Sequence, residues 1–186
     1  MYIAAIACNI GRSHWRAPAR WMYYHLIDGD WASNAISWQW VAGTASSKKY
    51  YANQENINRY CHTRQTGTFL DVDYADLESM KIPAPLSETI SPVLTTKLPG
   101  TNRLEVDKTL PTLIYNSYNL DPNWNADLTA NRILLLEPSH FHRYPVSAKV
   151  LEFILAVAKN IVGIQIFVGE FADVATNYEL ADVRYK

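Results

Sequence analysis

The chain has 186 residues, of which 48% are hydrophobic, so it is long enough and apolar enough to bury a core and is not a disordered protein. Its formal net charge of −1 and its pI of about 6.5 exclude a global positive field, and a nucleic-acid partner would therefore need a local positive surface. Two cysteines give no disulfide framework, which indicates a cytoplasmic, reducing compartment, and no apolar run is long enough to predict a membrane partner.

The first half of the chain has the sequence pattern of helices. Helices are predicted over residues 2–11, 14–27, 32–41, 56–60 and 74–80. The first of them lacks polar alternation, which predicts a buried helix. Ser13 is the predicted N-cap of the second helix, and the Asp28-Gly29-Asp30 turn ends it. Asp30 is then in position to cap the third helix.

The second half changes to the pattern of a small α/β unit. Short apolar runs at 113–115, 133–136 and 164–168 predict buried parallel strands. A helix is predicted to begin at Pro145 and to end at Gly163, which gives a right-handed βαβ unit. The expected fold is thus mainly α, followed by a small α/β C-terminal unit. The expected organisation is a helical region over 1–90, a proline-containing linker over 91–112 and an α/β appendage of unknown role over 113–186.

The most informative stretch runs from Leu26 to Gly43. Asn34 follows Asp30 by four residues and Trp38 follows Asn34 by four, so a helix presents all three on one face. Trp40 lies about 200° around the helix from Trp38 and must face another surface. The Asp-Gly-Asp turn alone is typical of an ordinary boundary between two helices, and tryptophans are mostly core residues. Together, the carboxylates, the amide and the indoles indicate a site for a flat redox ring.

Other chemistry has little support in the sequence. His140 and His142 are two residues apart, which is not the spacing of a helical metal-binding pair, and no metal site is predicted. Neither a phosphate-binding glycine loop nor a nucleophile-elbow motif occurs.

The stretch from Met1 to Thr44 resembles the FAD-binding domain of the DNA photolyase and cryptochrome family. The resemblance rests on a composite motif whose residues here are Trp15-Arg16, Asp28-Gly29-Asp30, Asn34, Trp38-Gln39-Trp40 and Gly43-Thr44. It continues more weakly through residues 50–80, and the α/β tail lies outside it.

The resemblance implies FAD as the cofactor. It implies that Asp28, Gly29 and Asp30 hold the U-shaped FAD, and that Asn34 lies against flavin N5 and stabilises the reduced ring. Trp38 and Trp15 would be the first two members of an electron-transfer chain of tryptophans.

The same resemblance implies UV-damaged DNA as the partner. Trp40 and Met1 would line the pocket for a flipped-out pyrimidine dimer, with Gln39 a weaker candidate on the DNA side. The implied function is the C-terminal part of a FAD-dependent deoxyribodipyrimidine photolyase, a carbon–carbon lyase that uses light-driven electron transfer to split pyrimidine dimers. The alternatives are a cryptochrome-like photoreceptor module and a cofactor-free structural remnant, so enzymatic activity of the chain alone stays open.

About half of the family's FAD site, including the segment that grips the phosphates, precedes the position of Met1. FAD is therefore expected to bind this chain weakly or not at all. Three explanations are open: a truncated product or miscalled start, one piece of a split protein with the missing N-terminal half as a separate chain, or a scaffold without flavin.

Overall fold

A computed structural model describes residues 1–101, 103–180 and 182–186. The chain forms two compact units, Met1–Val93 and Leu94–Lys186. Each unit has its own hydrophobic core.

The first unit consists of helices and irregular segments. Its helices are α1 (Tyr2–Ala5), a π-helical turn (Ile6–Ile10), α2 (Arg16–His25), α3 (Trp31–Val41), α4 (Gln54–Cys61), α5 (Tyr74–Ser79) and a 3₁₀ turn (Ala84–Leu86). Four of the five predicted helices are confirmed as α-helices within a few residues at each end. The exception is the N-terminal helix, which is only partly an α-helix.

The predicted N-terminal helix is only half α-helical, because it widens into the π-helical turn. The amide N–H of Gly11 donates to the carbonyl of Ile6 at 2.8 Å, five residues back. The Ser13 amide then donates to the Ala7 carbonyl at 3.0 Å, which ties Ser13 to the end of that turn. The prediction of Ser13 as N-cap of α2 was therefore wrong. Trp15 occupies the cap position, and His14 Nδ1 accepts from the Arg16 amide at 3.3 Å.

A buried asparagine ties the π-helical turn to the rest of the unit. Asn9 Nδ2 donates to the carbonyl oxygens of Val41 at 2.9 Å and Tyr50 at 2.7 Å. Asn9 thereby closes the C-terminal end of α3, whose last carbonyls have no partner within the helix. The core around it contains small residues with one indole: Ala4, Ala5, Cys8, Ala19, Trp38 and Val41. Small side chains let the helices approach closely around Trp38.

The second unit is a four-stranded parallel sheet with helices. Its elements are β1 (Thr112–Tyr115), β2 (Asn131–Leu136), α6 (Pro138–Arg143), α7 (Ala148–Ala158), β3 (Ile164–Val168), α8 (Phe171–Tyr178) and β4 (Val183–Tyr185). The strand order is β3-β2-β1-β4, and all three pairings are parallel. The chain thus moves outward from β1 through β2 to β3 and then returns to the other side of β1.

Both faces of the sheet are buried, as expected for parallel strands. On one face Ile114, Ile133 and Leu135 pack with Phe167 and with Val174 of α8. The alternate residues of β1 and β2 point to the other face and are equally buried: Leu113, Tyr115, Leu134 and Leu136, all 0% exposed. This explains why the strands have no polar alternation in the sequence.

The segment before β1 packs on this sheet. Thr96 Oγ1 donates to the Val146 carbonyl at 2.8 Å, and Leu104 is 4% exposed within the core. Sequence composition predicts a linker over 91–112, whereas most of this range lies inside the second unit. The prolines and serines of this range dominate its composition, so the few apolar residues that pack in the second unit could not be recognised from the sequence.

Three other expectations for the second half need correction. The helix predicted from Pro145 to Gly163 is the shorter helix α7, and Ser147 caps it by accepting from the Val150 amide at 3.3 Å. The sequence patterns also missed α6, which ends before Pro145, together with α8 and β4. Finally, 39% of the residues are helical and 10% lie in strands, so an α/β unit is present but a mainly α fold is not confirmed.

No helix of the described residues is long and apolar enough to cross a membrane. Within the same residues, no group of three or more His, Cys, Asp or Glu side chains is placed to hold a metal ion.

Candidate functional site

A cavity of about 430 Å³ opens where α1, α2 and α3 meet. The residues that line it are Met1, Ala4, Met22, Leu26, Asp28, Asp30, Ser33, Asn34, Ser37, Trp38 and Val41. Five of the residues singled out in the sequence therefore share one cavity: Met1, Asp28, Asp30, Asn34 and Trp38. The wall combines apolar side chains with carboxylates and an amide, which suits a ring with polar edges.

Helix α3 supplies most of the polar wall, and its first turn is fixed by Asp30. The Ser33 amide donates to Asp30 Oδ1 at 2.7 Å, so Asp30 is the N-cap predicted from the sequence. This hydrogen bond lowers the pKa of the Asp30 carboxyl, because it stabilises the ionised form. Asp30 thus combines a helix cap with a negative charge at the cavity mouth.

Asn34 is held in one orientation by the neighbouring helix. Its Nδ2 donates to the carbonyl of Ala19 in α2 at 2.8 Å. The other amide atom, Oδ1, has no hydrogen-bond partner among the described residues. Since Asn34 lines the cavity, the fixed amide offers it an acceptor oxygen.

Gly29 plays a different part from its two acidic neighbours. It is not among the lining residues, and a Cβ at this position would lie 3.1 Å from the Leu26 carbonyl oxygen and 3.3 Å from Tyr23 Cδ2. Glycine is needed here because the turn packs tightly on the end of α2. Asp28 is exposed and accepts no hydrogen bond from the described residues, so its carboxylate is available at the cavity.

The two tryptophans named as electron carriers lie in one hydrophobic cluster. Trp38 is 2% exposed, and Trp15 packs against the cluster that contains it. The guanidinium carbon of Arg16 lies 5.7 Å from the centroid of the Trp15 ring, which places a positive charge beside that indole. The cluster therefore includes an indole at the cavity wall and is packed against by a second, partly exposed indole.

The residues named on the DNA side occupy different places. Trp40 is 46% exposed, lies 5.9 Å from the Tyr50 ring and does not line the cavity. Gln39 donates from Nε2 to the Ala35 carbonyl at 3.3 Å and also lies outside the lining. Met1 lines the cavity and is 61% exposed.

Sequence reasoning missed two polar lining residues, Ser33 and Ser37. Ser33 follows Asp30 by three residues and Ser37 follows it by seven, so both fall on the helical face that carries Asn34. Helical spacing would have identified them. Their hydroxyl groups add small donors beside the amide of Asn34.

The buried thiol next to this site is not a reactive group. Burial raises the pKa of Cys8 to about 11, well above that of an accessible thiol. Cys8 therefore stays protonated at neutral pH and serves as a small apolar residue of the cluster.

Comparison with known proteins gives one match. Residues 1–74 match the family model described as the FAD binding domain of DNA photolyase. Comparisons with curated proteins and with solved structures gave no match. The matched range includes α1 to α4 and every lining residue of the cavity. Over residues 1–74 this chain is therefore similar to the FAD-binding domain of DNA photolyases, in agreement with the resemblance to the photolyase and cryptochrome family.

Proposed function

We propose that the first unit forms one wall of the FAD site of a DNA photolyase. The observation that supports this most directly is the single cavity shared by Asp28, Asp30, Asn34 and Trp38. When bound there, FAD would supply light absorption and one-electron chemistry. The protein with FAD bound would act on UV-damaged DNA and split cyclobutane pyrimidine dimers. It would do so in the cytoplasm, because the free thiols of Cys8 and Cys61 suit a reducing compartment.

The polar wall fits a flavin ring through its acceptors. Asn34 Oδ1 is the acceptor that the Ala19 contact leaves free, and it would accept from a ring N–H, which a flavin has at N5 only after reduction. Asn34 would thus favour the reduced form. Asp28 and Asp30 would accept from N–H and hydroxyl donors at the ring edge and on the ribityl chain.

The apolar wall fits electron transfer between indoles. Trp38 would donate an electron to the bound flavin, and Trp15 would then reduce the oxidised Trp38, since Trp15 packs against the cluster that contains Trp38. Arg16 beside Trp15 disfavours a lasting positive charge on that indole, which favours loss of its proton to solvent. The side chains of Met1 and Trp40, both exposed, would meet the flipped-out dimer, with Gln39 next to Trp40.

A cryptochrome-like photoreceptor is the second candidate. The formal net charge of −1 favours it, because tight binding to DNA phosphates needs a surplus of positive charge. Photoreduction through Trp38 would be shared by both functions, whereas dimer repair would distinguish them. In either case we propose that a second chain can supply further FAD contacts.

FAD titration into the purified chain tests the proposal. We expect weak but saturable quenching of flavin fluorescence, reduced by Asn34→Leu and by the pair Asp28→Asn and Asp30→Asn. Asp71→Asn is the matched control, because Asp71 lies outside the cavity and accepts from the Gly67 amide at 2.8 Å. Binding that does not saturate would show a scaffold without flavin, and saturable binding that Asn34→Leu leaves unchanged would show that Asn34 does not contact the flavin.

Repair of a thymine-dimer oligonucleotide under blue light then separates the two candidates. With FAD bound, a photolyase restores the thymines and a cryptochrome-like module only photoreduces.

A further inference from the structure

The second unit has a cavity of its own, at the carboxyl ends of its parallel strands. Its volume is about 460 Å³, and its lining residues are Ile114, Asn116, Leu135, Glu137, Phe171, Val183 and Tyr185. β2 follows β1 on one side and β4 pairs with it on the other, so the strand order reverses beside β1. Open parallel sheets bind ligands in the crevice outside the strand ends at such a reversal. The cavity volume also lies within the range of about 300–1,000 Å³ that is usual for small-ligand sites.

The walls of this cavity suit a flat ring. Ile114 and Leu135 form an apolar floor, and both side chains are buried. Phe171 and Tyr185 are aromatic side chains at the mouth, with 43% and 73% exposure. Aromatic side chains at a cavity mouth can stack on the faces of a planar ligand.

The polar groups of the cavity are one carboxylate and one amide. Glu137 Oε1 accepts from the Phe171 amide at 3.2 Å, which fixes the carboxylate, and Oε2 has no partner among the described residues. Asn116 Oδ1 accepts from the Tyr118 amide at 2.8 Å, and its Nδ2 donates to no described residue. The cavity therefore offers an acceptor of full charge and a neutral donor.

A smaller cavity of about 200 Å³ extends this site. It shares Asn116, Leu135 and Glu137 with the first and reaches His140. Burial lowers the pKa of His140 while the charge of Glu137 opposes that shift, so the imidazole is neutral at pH 7. The extension adds room and a neutral ring, but no positive charge.

Phosphate is disfavoured at this site. At the N-terminal turn of α8, which faces the cavity with Phe171, the Phe171 amide already donates to Glu137, and the Glu170 carboxylate beside it is held by Ser139. The β1–β2 connection, residues 116–130, contains no glycine with which to cradle a phosphate. Two fixed carboxylates beside the helix N-terminus would repel an anion.

We propose that this cavity binds a nucleoside, with the base stacked at Phe171 and Tyr185 and a ribose hydroxyl donating to Glu137 Oε2. A nucleoside combines a flat ring with adjacent hydroxyl donors and carries no negative charge. This assignment is independent of the flavin site, because every residue involved belongs to the second unit.

Titration of the full chain with adenosine and with uridine, followed by calorimetry, tests the assignment. We expect saturable binding of at least one nucleoside, and binding of its 5′-monophosphate that is at least tenfold weaker. Glu137→Gln should weaken nucleoside binding about tenfold or more, because it removes a charged acceptor. Glu152→Gln is the matched control, since Glu152 is exposed on α7 and outside both cavities.

A second variant covers a folding defect of Glu137→Gln. Tyr185→Ser changes a side chain that is 73% exposed and should also weaken binding. The assignment is overturned if neither nucleoside binds saturably, if Glu137→Gln and Tyr185→Ser bind normally, or if the monophosphate binds as tightly as the nucleoside.

Discussion

Asn34 in α3 donates from Nδ2 to the carbonyl of Ala19 in α2 at 2.8 Å, so the residue that faces the cavity also joins the two helices that form it. The contact uses one N–H of Nδ2 and leaves Oδ1 as an acceptor without a partner among the described residues. Helix packing therefore sets the orientation of the Asn34 amide at the cavity.

The first prediction concerns this contact. Asn34→Ala should lower the free energy of unfolding by about 1 kcal/mol, the usual loss for a partly buried hydrogen bond. Urea denaturation followed by tryptophan fluorescence measures the change. Ser37→Ala, on the same face of α3 but without a hydrogen bond among the described residues, should be close to neutral. Equal losses in both variants would contradict a special role for the Asn34 contact.

The second prediction separates two indoles of one helix. With FAD bound, Trp38→Phe should slow photoreduction strongly, because Trp38 is buried at the cavity in the cluster against which Trp15 packs. Trp40→Phe is the control: its side chain is 46% exposed and lies outside the cavity. Flash photolysis records the rate. Unchanged kinetics in Trp38→Phe would remove this residue from the electron path.

The third prediction concerns acid stability at the cap of α3. Because the Ser33 amide lowers the pKa of folded Asp30 below that of the unfolded chain, ionised Asp30 stabilises the fold above its unfolded pKa. This contribution is lost as pH falls through the lower, folded pKa. Asp30→Asn keeps a good cap without a titrating group, so its stability should vary less with pH below about 4. Parallel pH curves for both proteins would refute this account.

The fourth prediction concerns the bend between β3 and α8. A Cβ at Gly169 would lie 2.6 Å from Cε1 of Phe167, a ring that is only 6% exposed and has little room to move. Gly169→Ala should therefore destabilise the second unit by about 1–3 kcal/mol. Gly100→Ala, where a Cβ would meet nothing within 4 Å, provides the control in a thermal unfolding experiment. A neutral Gly169→Ala would show that Phe167 relaxes freely.

The sequence predicted the features that depend only on neighbouring residues along the chain. The Asp30 cap is set by the residues next to it, and the opposite directions of Trp38 and Trp40 follow from helical geometry alone. The division of Met1 and Trp40 between the cavity and the outer surface depends on how α1 packs on α3, which no local pattern contains.

The parts that were missed depend on distant contacts. The π-helical turn has an unremarkable apolar sequence. The residues of β4 are all exposed, so they lack the apolar run by which β1 and β2 were identified. The proposed nucleoside cavity could not be predicted for the same reason. Its residues come from β1, β2, α8, β4 and the positions directly after β1 and β2, and they meet only through the strand order.

The pairing of β4 with β1 has a consequence for aggregation. β1 is apolar and fully buried, and β4 occupies the hydrogen-bonding edge that β1 would otherwise present to solvent. An uncovered edge of this kind pairs readily with another chain. Proteolysis that removed only β4 would thus leave most of the core in place, yet it would expose the edge of β1 to strands from neighbouring molecules.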